Sequence, residues 1–199
     1  TKHQYDFDSA SCLALIRKAG LEGEIKLNIE VNHATLSGHN FEHEIAYAIA
    51  NNALGSIDIN RGDTLLGWDT DQFPNSPLEL LMPFYFIFSN GGFKQGGLNF
   101  DAKIRRQSID PEDLFYAHIG GMDVAGRALI AVEKIINDKE LSNYIKNRYK
   151  KWDHDLGKFI HSNEGSLESI ANKVISEKIE PAPKSGQQEY LENILNKYI

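Results

Sequence analysis

The chain has 199 residues, a single cysteine and a formal charge of −7, with a pI near 5.5. That length holds one domain, or one with an appendage, and the acidic balance excludes the clustered basic stripe that a nucleic-acid partner calls for. Cys12 alone excludes an internal disulfide framework and fits a reducing, cytoplasmic compartment.

The amino-terminal TKHQYDFD has neither the basic start nor the apolar core of a signal peptide, and without an initiator Met it reads as cut or processed from something longer. Asp8 is placed to cap a helix over residues 9–19, with Leu13, Ile16 and Ala19 at apolar positions and Gly20 as its stop. Glu24 to Glu30 alternates Ile25, Leu27 and Ile29 and predicts a strand. A helix is expected from Gly38 to Leu54, and a second strand from Ser56 to Ile59. The stretch NRGDTLLGWDTDQFP, rich in Gly, Asp and Pro, reads as a long functional loop.

Asn75-Ser76-Pro77 opens an apolar run from Leu78 to Phe88. Pro83 interrupts that run, and it falls short of the ~20 residues that span a bilayer, so it predicts a buried helix and no membrane partner. Gly91-Gly92 end that helix, and Gly97 to Phe100 is the third strand. Asp110-Pro111-Glu112-Asp113 starts another helix, with a capping Asp, Pro at the first position and acids facing the macrodipole. It runs to Asn137, loosened at Gly120-Gly121. The order, a helix followed by three strand–helix repeats, argues for parallel βα units with their active groups at the carboxyl ends of strands. From Lys139 onward only polar helices are expected, with residues 180–186 as a linker before an amphipathic helix carrying Tyr190, Leu191, Ile194, Leu195 and Tyr198. Such an arm has little core of its own and is expected to pack on a neighbouring subunit of a homo-oligomer.

Glu30 stands at the carboxyl end of the first strand with His33 three residues on, and Asp58 and Asp101 end later apolar runs. Asp69 and Asp71 are two apart, so in an extended segment both carboxylates point to one side. Each part has an ordinary reading: Glu30 and His33 as a strand-end ion pair, Asp69 and Asp71 as turn residues, Asp58 and Asp101 as cap acids. Together they offer five carboxylates and one imidazole, enough for two divalent cations sharing Glu30, with Mg²⁺ or Mn²⁺ suited to the oxygens and Co²⁺ admitted by the imidazole. His39 and His43 are four apart, a spacing that can bind zinc, but no Glu follows His39 as that motif requires, and they read as packing or surface residues. His118 and the pair Arg105-Arg106 are read the same way, the arginines as a solvated or salt-bridged surface.

The words NIEVNHATLSGHNFEHE, DINRGD, LGWDTDQFP and GGLNFDAKIRRQS, with the closing EYLENILNKYI, resemble xylose isomerase, also called glucose isomerase. The resemblance runs the whole chain but matches only the later half of that family's length. It implies the carboxyl-terminal part of a (β/α)₈ barrel over residues 1–138, about three parallel βα units, and a helical oligomerisation arm over 139–199. It also implies two cations, Mg²⁺, Mn²⁺ or Co²⁺, with Glu30 bridging, Asp58 and Asp101 holding the first, and His33, Asp69 and Asp71 the second. The family's reaction opens an aldose ring and shifts a hydride from C2 to C1, taking D-xylose to D-xylulose and D-glucose to D-fructose. The strand expected to precede Thr1 would carry a further glutamate of the first metal and a substrate lysine, and the ring-opening His and Asp belong to the same missing half. The expectation is therefore a half that is inactive alone and holds one cation in its complete second set. The rival reading is a catalytically silent metal-binding fragment that self-assembles through the open edges of its strands.

Overall fold

Three short strands run parallel and end level, and the acids at their carboxyl ends are brought together by that register. The computed structural model describes residues 4–162 and 165–199. Helix α1 (Ser9–Lys18) is capped by the Asp8 carboxylate, which accepts from the Ser11 N–H, and Leu13 and Ile16 form its buried stripe. Strand β1 (Leu27–Glu30) leads without a gap into α2 (Val31–Leu36). Then come α3 (Phe41–Ala50), β2 (Leu54–Asp58), the short strands β3 (Arg61–Asp63) and β4 (Trp68–Gln72), α4 (Pro77–Ser89) and β5 (Leu98–Asn99).

β1, β2 and β5 form one parallel sheet in the order β1-β2-β5. The register sets Ile29 against Ile57, Glu30 against Asp58, and Asp58 against Asn99. Because side chains alternate across a strand, Leu27, Ile29 and Ile57 are buried on one face while Asn28, Ser56, Glu30 and Asp58 share the other. The apolar face is covered by α1 and α3, and α4 packs against α3 with Leu80, Leu81, Phe84 and Ile87 buried. The strand expected from Glu24 begins only at Leu27, and the chain's own helices bury Leu27 and Ile29 while the open face of the sheet is polar. Leu98, opposite Ile57 at the sheet edge, remains exposed.

Three further expectations are revised. The helix expected over residues 38–54 is α3, confined to Phe41–Ala50, with Leu54 already in β2, and a separate short helix, α2, precedes it across Gly38 at φ +88. The long loop is an antiparallel hairpin, β3 paired with β4, whose turn passes through Gly67 at φ +69, a conformation that glycine adopts at little cost. Helix α5 (Pro111–Asp138) continues through Gly120 and Gly121 without a break, since its neighbours Ala125, Ala128 and Val132 hold one stripe buried.

The chain divides into two units, one ending at Lys134 and one spanning Ile135–Tyr198. The second unit contains α6 (Glu140–Tyr149), a 3₁₀ turn (Lys150–Asp153), α7 (Asp155–His161), α8 (Leu167–Ser176) and α9 (Gln188–Asn196). Glu140 ties its ends together, accepting from the Tyr190 hydroxyl at 2.8 Å and pairing with Lys197 at 2.7 Å. The residues 180–186 expected as a linker are held as well: Arg148 donates to the Ser185 carbonyl at 3.1 Å and the Tyr144 hydroxyl to that of Gly186. Among the described residues no helix is long and apolar enough to cross a membrane.

Candidate metal centre

Glu30 is both the last residue of β1 and the N-cap residue of α2, with extended backbone at φ −105 and ψ 130. His33 lies in the first turn of α2, three residues on, so it meets Glu30 on one helix face. Its Nε2 is 3.5 Å from Glu30 Oε2 and 3.1 Å from Asp69 Oδ2 of β4. Asp58, 6 % exposed at the end of β2, is brought beside Glu30 by the ladder, and Asp101 follows β5 at φ +43.

Two groups of donor atoms result, Glu30–His33–Asp69 and Glu30–Asp58–Asp101, each with ligand atoms within 4.8 Å of one another and both containing Glu30. Asp71 stands outside them. At φ +44, its carboxylate is held by Lys103 Nζ at 2.6 Å and its Oδ1 lies 3.4 Å from the Asn32 amide nitrogen. Five of the six candidate residues thus converge, and the sixth is one hydrogen-bonding neighbour away.

The amides that orient these acids were not singled out from the sequence. Asn28 donates to Asp58 Oδ2 at 2.5 Å; it sits two residues before Glu30, on the same face by the period of the strand. Asn60 is 1 % exposed, donates to Glu30 Oε1 at 2.7 Å and to the Asp101 carbonyl at 2.9 Å, and accepts from the Asn32 N–H at 3.3 Å. Asn32 is fully buried, and its amide nitrogen donates to Asp69 as well as Asp71. Its Oδ1 is a buried acceptor with no partner among the described residues, lying against Gly62, where any Cβ would collide with it. No local pattern marks Asn32, because its partners are about 40 residues away in sequence. Arg105 is likewise no surface charge: its guanidinium donates to the carbonyls of Thr70, Asp71 and Lys103, clamping the segment after β5 to β4. Arg106 is exposed, and His118 bonds the Leu114 carbonyl at 2.8 Å and stands edge-on to Phe73.

Burial pushes the Glu30 carboxyl above its ordinary value; the Asn60 amide and His33 oppose this, and Asp69 and Asp101 add to it. Asp69 moves up through burial and the neighbouring Asp71. Burial would raise Asp71 too, but the Lys103 ammonium and the hydrogen bonds made with Asp69 and with the Asn32 amide outweigh it and hold Asp71 low. Carboxylates that raise one another's proton affinity in a partly buried cluster also favour a cation. The donors are oxygens with one imidazole, which fits hard divalent ions of the Mg²⁺ and Mn²⁺ class and admits Co²⁺.

Residues 145–199 match a family described as the XylA2 C-terminal domain. Over all 199 residues the chain is 56 % identical to a protein named xylose isomerase from Histophilus somni (strain 2336), of which it covers 45 %. It is 53 % identical over the same length to one from Mesorhizobium japonicum and 55 % identical to one from Haemophilus influenzae (strain 86-028NP), again covering 45 % of each. The chain thus spans a little under half the length of these relatives.

Proposed function

We infer, for a chain that belongs by sequence with the xylose isomerases and spans 45 % of its relatives' length, that it carries the two-cation centre of an aldose–ketose isomerase. The observation behind this reading is the pair of donor groups that share Glu30 at the carboxyl edge of a parallel sheet. Glu30 is the bridging carboxylate, Asp58 and Asp101 serve the first cation, and His33 and Asp69 the second, with Asp71 joining when Lys103 releases it. Mg²⁺, Mn²⁺ or Co²⁺ held by these residues would supply Lewis acidity for an aldose–ketose isomerisation of a sugar such as D-xylose or D-glucose.

The chain's own residues provide the frame. Asn28 and Asn60 fix the carboxylates of Asp58 and Glu30, and Asn32 fixes those of Asp69 and Asp71. The buried apolar face of the sheet keeps the strand ends rigid. In this reading the three strands are one arc of a (β/α)₈ barrel, and residues 139–199 are an arm that docks on a partner in a cytoplasmic homo-oligomer. The row of exposed apolar side chains on α5, including Leu114, Phe115, Tyr116, Ile119 and Met122, supports a covering partner.

Calorimetric titration of the purified chain with Mn²⁺ tests the centre. Glu30→Gln should remove the Mn²⁺ binding that depends on Asp58 and on His33, while Asp58→Asn and His33→Gln each weaken a different site. Saturable binding that survives Glu30→Gln unchanged overturns the shared-carboxylate assignment. The chain alone is expected to show no turnover of xylose, and turnover near that of a full-length relative would overturn the half-enzyme reading.

A further inference from the structure

No Glu follows His39 in the sequence, but the residue after His43 on α3, Glu44, turns its carboxylate toward both imidazoles. Glu44 is 3 % exposed, with Oε2 accepting from the Ser9 N–H at 2.7 Å. Its other oxygen, Oε1, faces His39 Nδ1 at 3.5 Å and His43 Nε2 at 4.0 Å. The two imidazoles lie nearly parallel, centroids 5.9 Å apart with 14° between planes. The second nitrogen of His39, Nε2, is 3.4 Å from Asp8 Oδ2.

Zinc–ligand bonds of about 2.0–2.1 Å set tetrahedral ligand atoms about 3.4 Å apart. The Glu44–His39 edge already has that length, and the His43 side chain, 59 % exposed, is free to close the remainder. A buried carboxylate anchored through its far oxygen and a histidine whose outer nitrogen meets a second carboxylate reproduce the usual support of a zinc ligand.

We propose that His39, His43 and Glu44 form a zinc-type transition-metal site, with Asp8 positioning His39 and the fourth coordination position open to solvent. It shares no ligand with the groups around Glu30. Two imidazoles and one carboxylate select Zn²⁺ over Mg²⁺, the reverse of the preference of an oxygen-rich cluster.

The test uses the full chain carrying Glu30→Gln, which removes the ligand common to the other two groups. Zn²⁺ is titrated in excess Mg²⁺ against a chromophoric chelator, and one equivalent is expected. Adding His43→Gln, an exposed position that leaves the far-UV spectrum and melting unchanged, should weaken that equivalent by at least about 100-fold. Asp8→Asn keeps a good helix cap and should weaken it by about 10–100-fold. Co²⁺ should give the visible absorption of a four-coordinate site in Glu30→Gln and lose it with His43→Gln. Should Glu30→Gln not fold, His43→Gln alone must lower the zinc stoichiometry of the parent chain by one. Zinc binding indifferent to His43→Gln, or no equivalent bound in folded Glu30→Gln, overturns the proposal, whatever the centre at Glu30 does.

Discussion

Replacing Asn60 by Ala removes the amide that joins three elements at the candidate centre. Its nitrogen serves Glu30 Oε1 and the Asp101 carbonyl at 2.7 and 2.9 Å, and its oxygen takes the Asn32 N–H at 3.3 Å. At 1 % exposure Asn60 is itself shielded from water, whereas Asp101 is exposed. A buried group left unpaired costs about 1–3 kcal/mol, with bonds to charged groups at the upper end. The bond to Glu30 belongs at the upper end and the longer bond from Asn32 at the lower, while the carbonyl of exposed Asp101 can turn to water, which brings the expected loss to about 4 kcal/mol. For a chain of this size, 1 kcal/mol moves the melting temperature by about 2–4 °C, so a drop of about 8–16 °C is expected by circular dichroism. Loss of the amide also removes the largest influence holding Glu30 down, so its carboxyl should titrate at still higher pH. Mn²⁺ affinity, measured by calorimetry on the folded variant, should fall about 10–100-fold. A variant that melts within about 1 °C of the parent and binds Mn²⁺ equally well would refute the role given to Asn60.

Lys103→Met should release Asp71, whose carboxyl, followed by NMR, rises toward its ordinary 3.8, and Mn²⁺ binding should tighten; an unchanged Asp71 titration would sink the pairing. Phe84→Ala, at a fully buried position in α4, should cost about 3–5 kcal/mol, seen as a lower denaturant midpoint at constant slope, and a loss under about 1 kcal/mol would contradict the packing. Glu140 is held below its ordinary 4.5 by Lys197 first and Tyr190 second. Its contribution is therefore present above 4.5 and lost as pH falls through the lowered value. The melting-temperature gap between the parent and Glu140→Gln should close on acidification, and a gap that persists in acid would show that the ionised pair contributes nothing.

What could be read from the sequence was whatever repeats at short range. The alternation of Leu27 and Ile29 with Asn28 and Glu30 marked β1 and its two faces, and the Asp8 cap and Gly20 bounded α1. The three-residue step from Glu30 to His33 put both on one side of a helix start. Asp58 was recognisable as a strand end, and the parallel order followed from helices alternating with strands. Other features depended on contacts between distant segments. The β3–β4 hairpin has no apolar alternation to announce it, and the distant Asn32 and Arg105 both hydrogen-bond to β4. Asp71 looked like a partner of Asp69, yet its left-handed backbone and Lys103 turn it out of the converging set. Nor could spacing show that His39 lies between Glu44 and Asp8, since that meeting requires α1 to pack on α3. Local periodicity determines which face of an element is buried; which polar groups then meet on the other face is decided by how the elements are packed together.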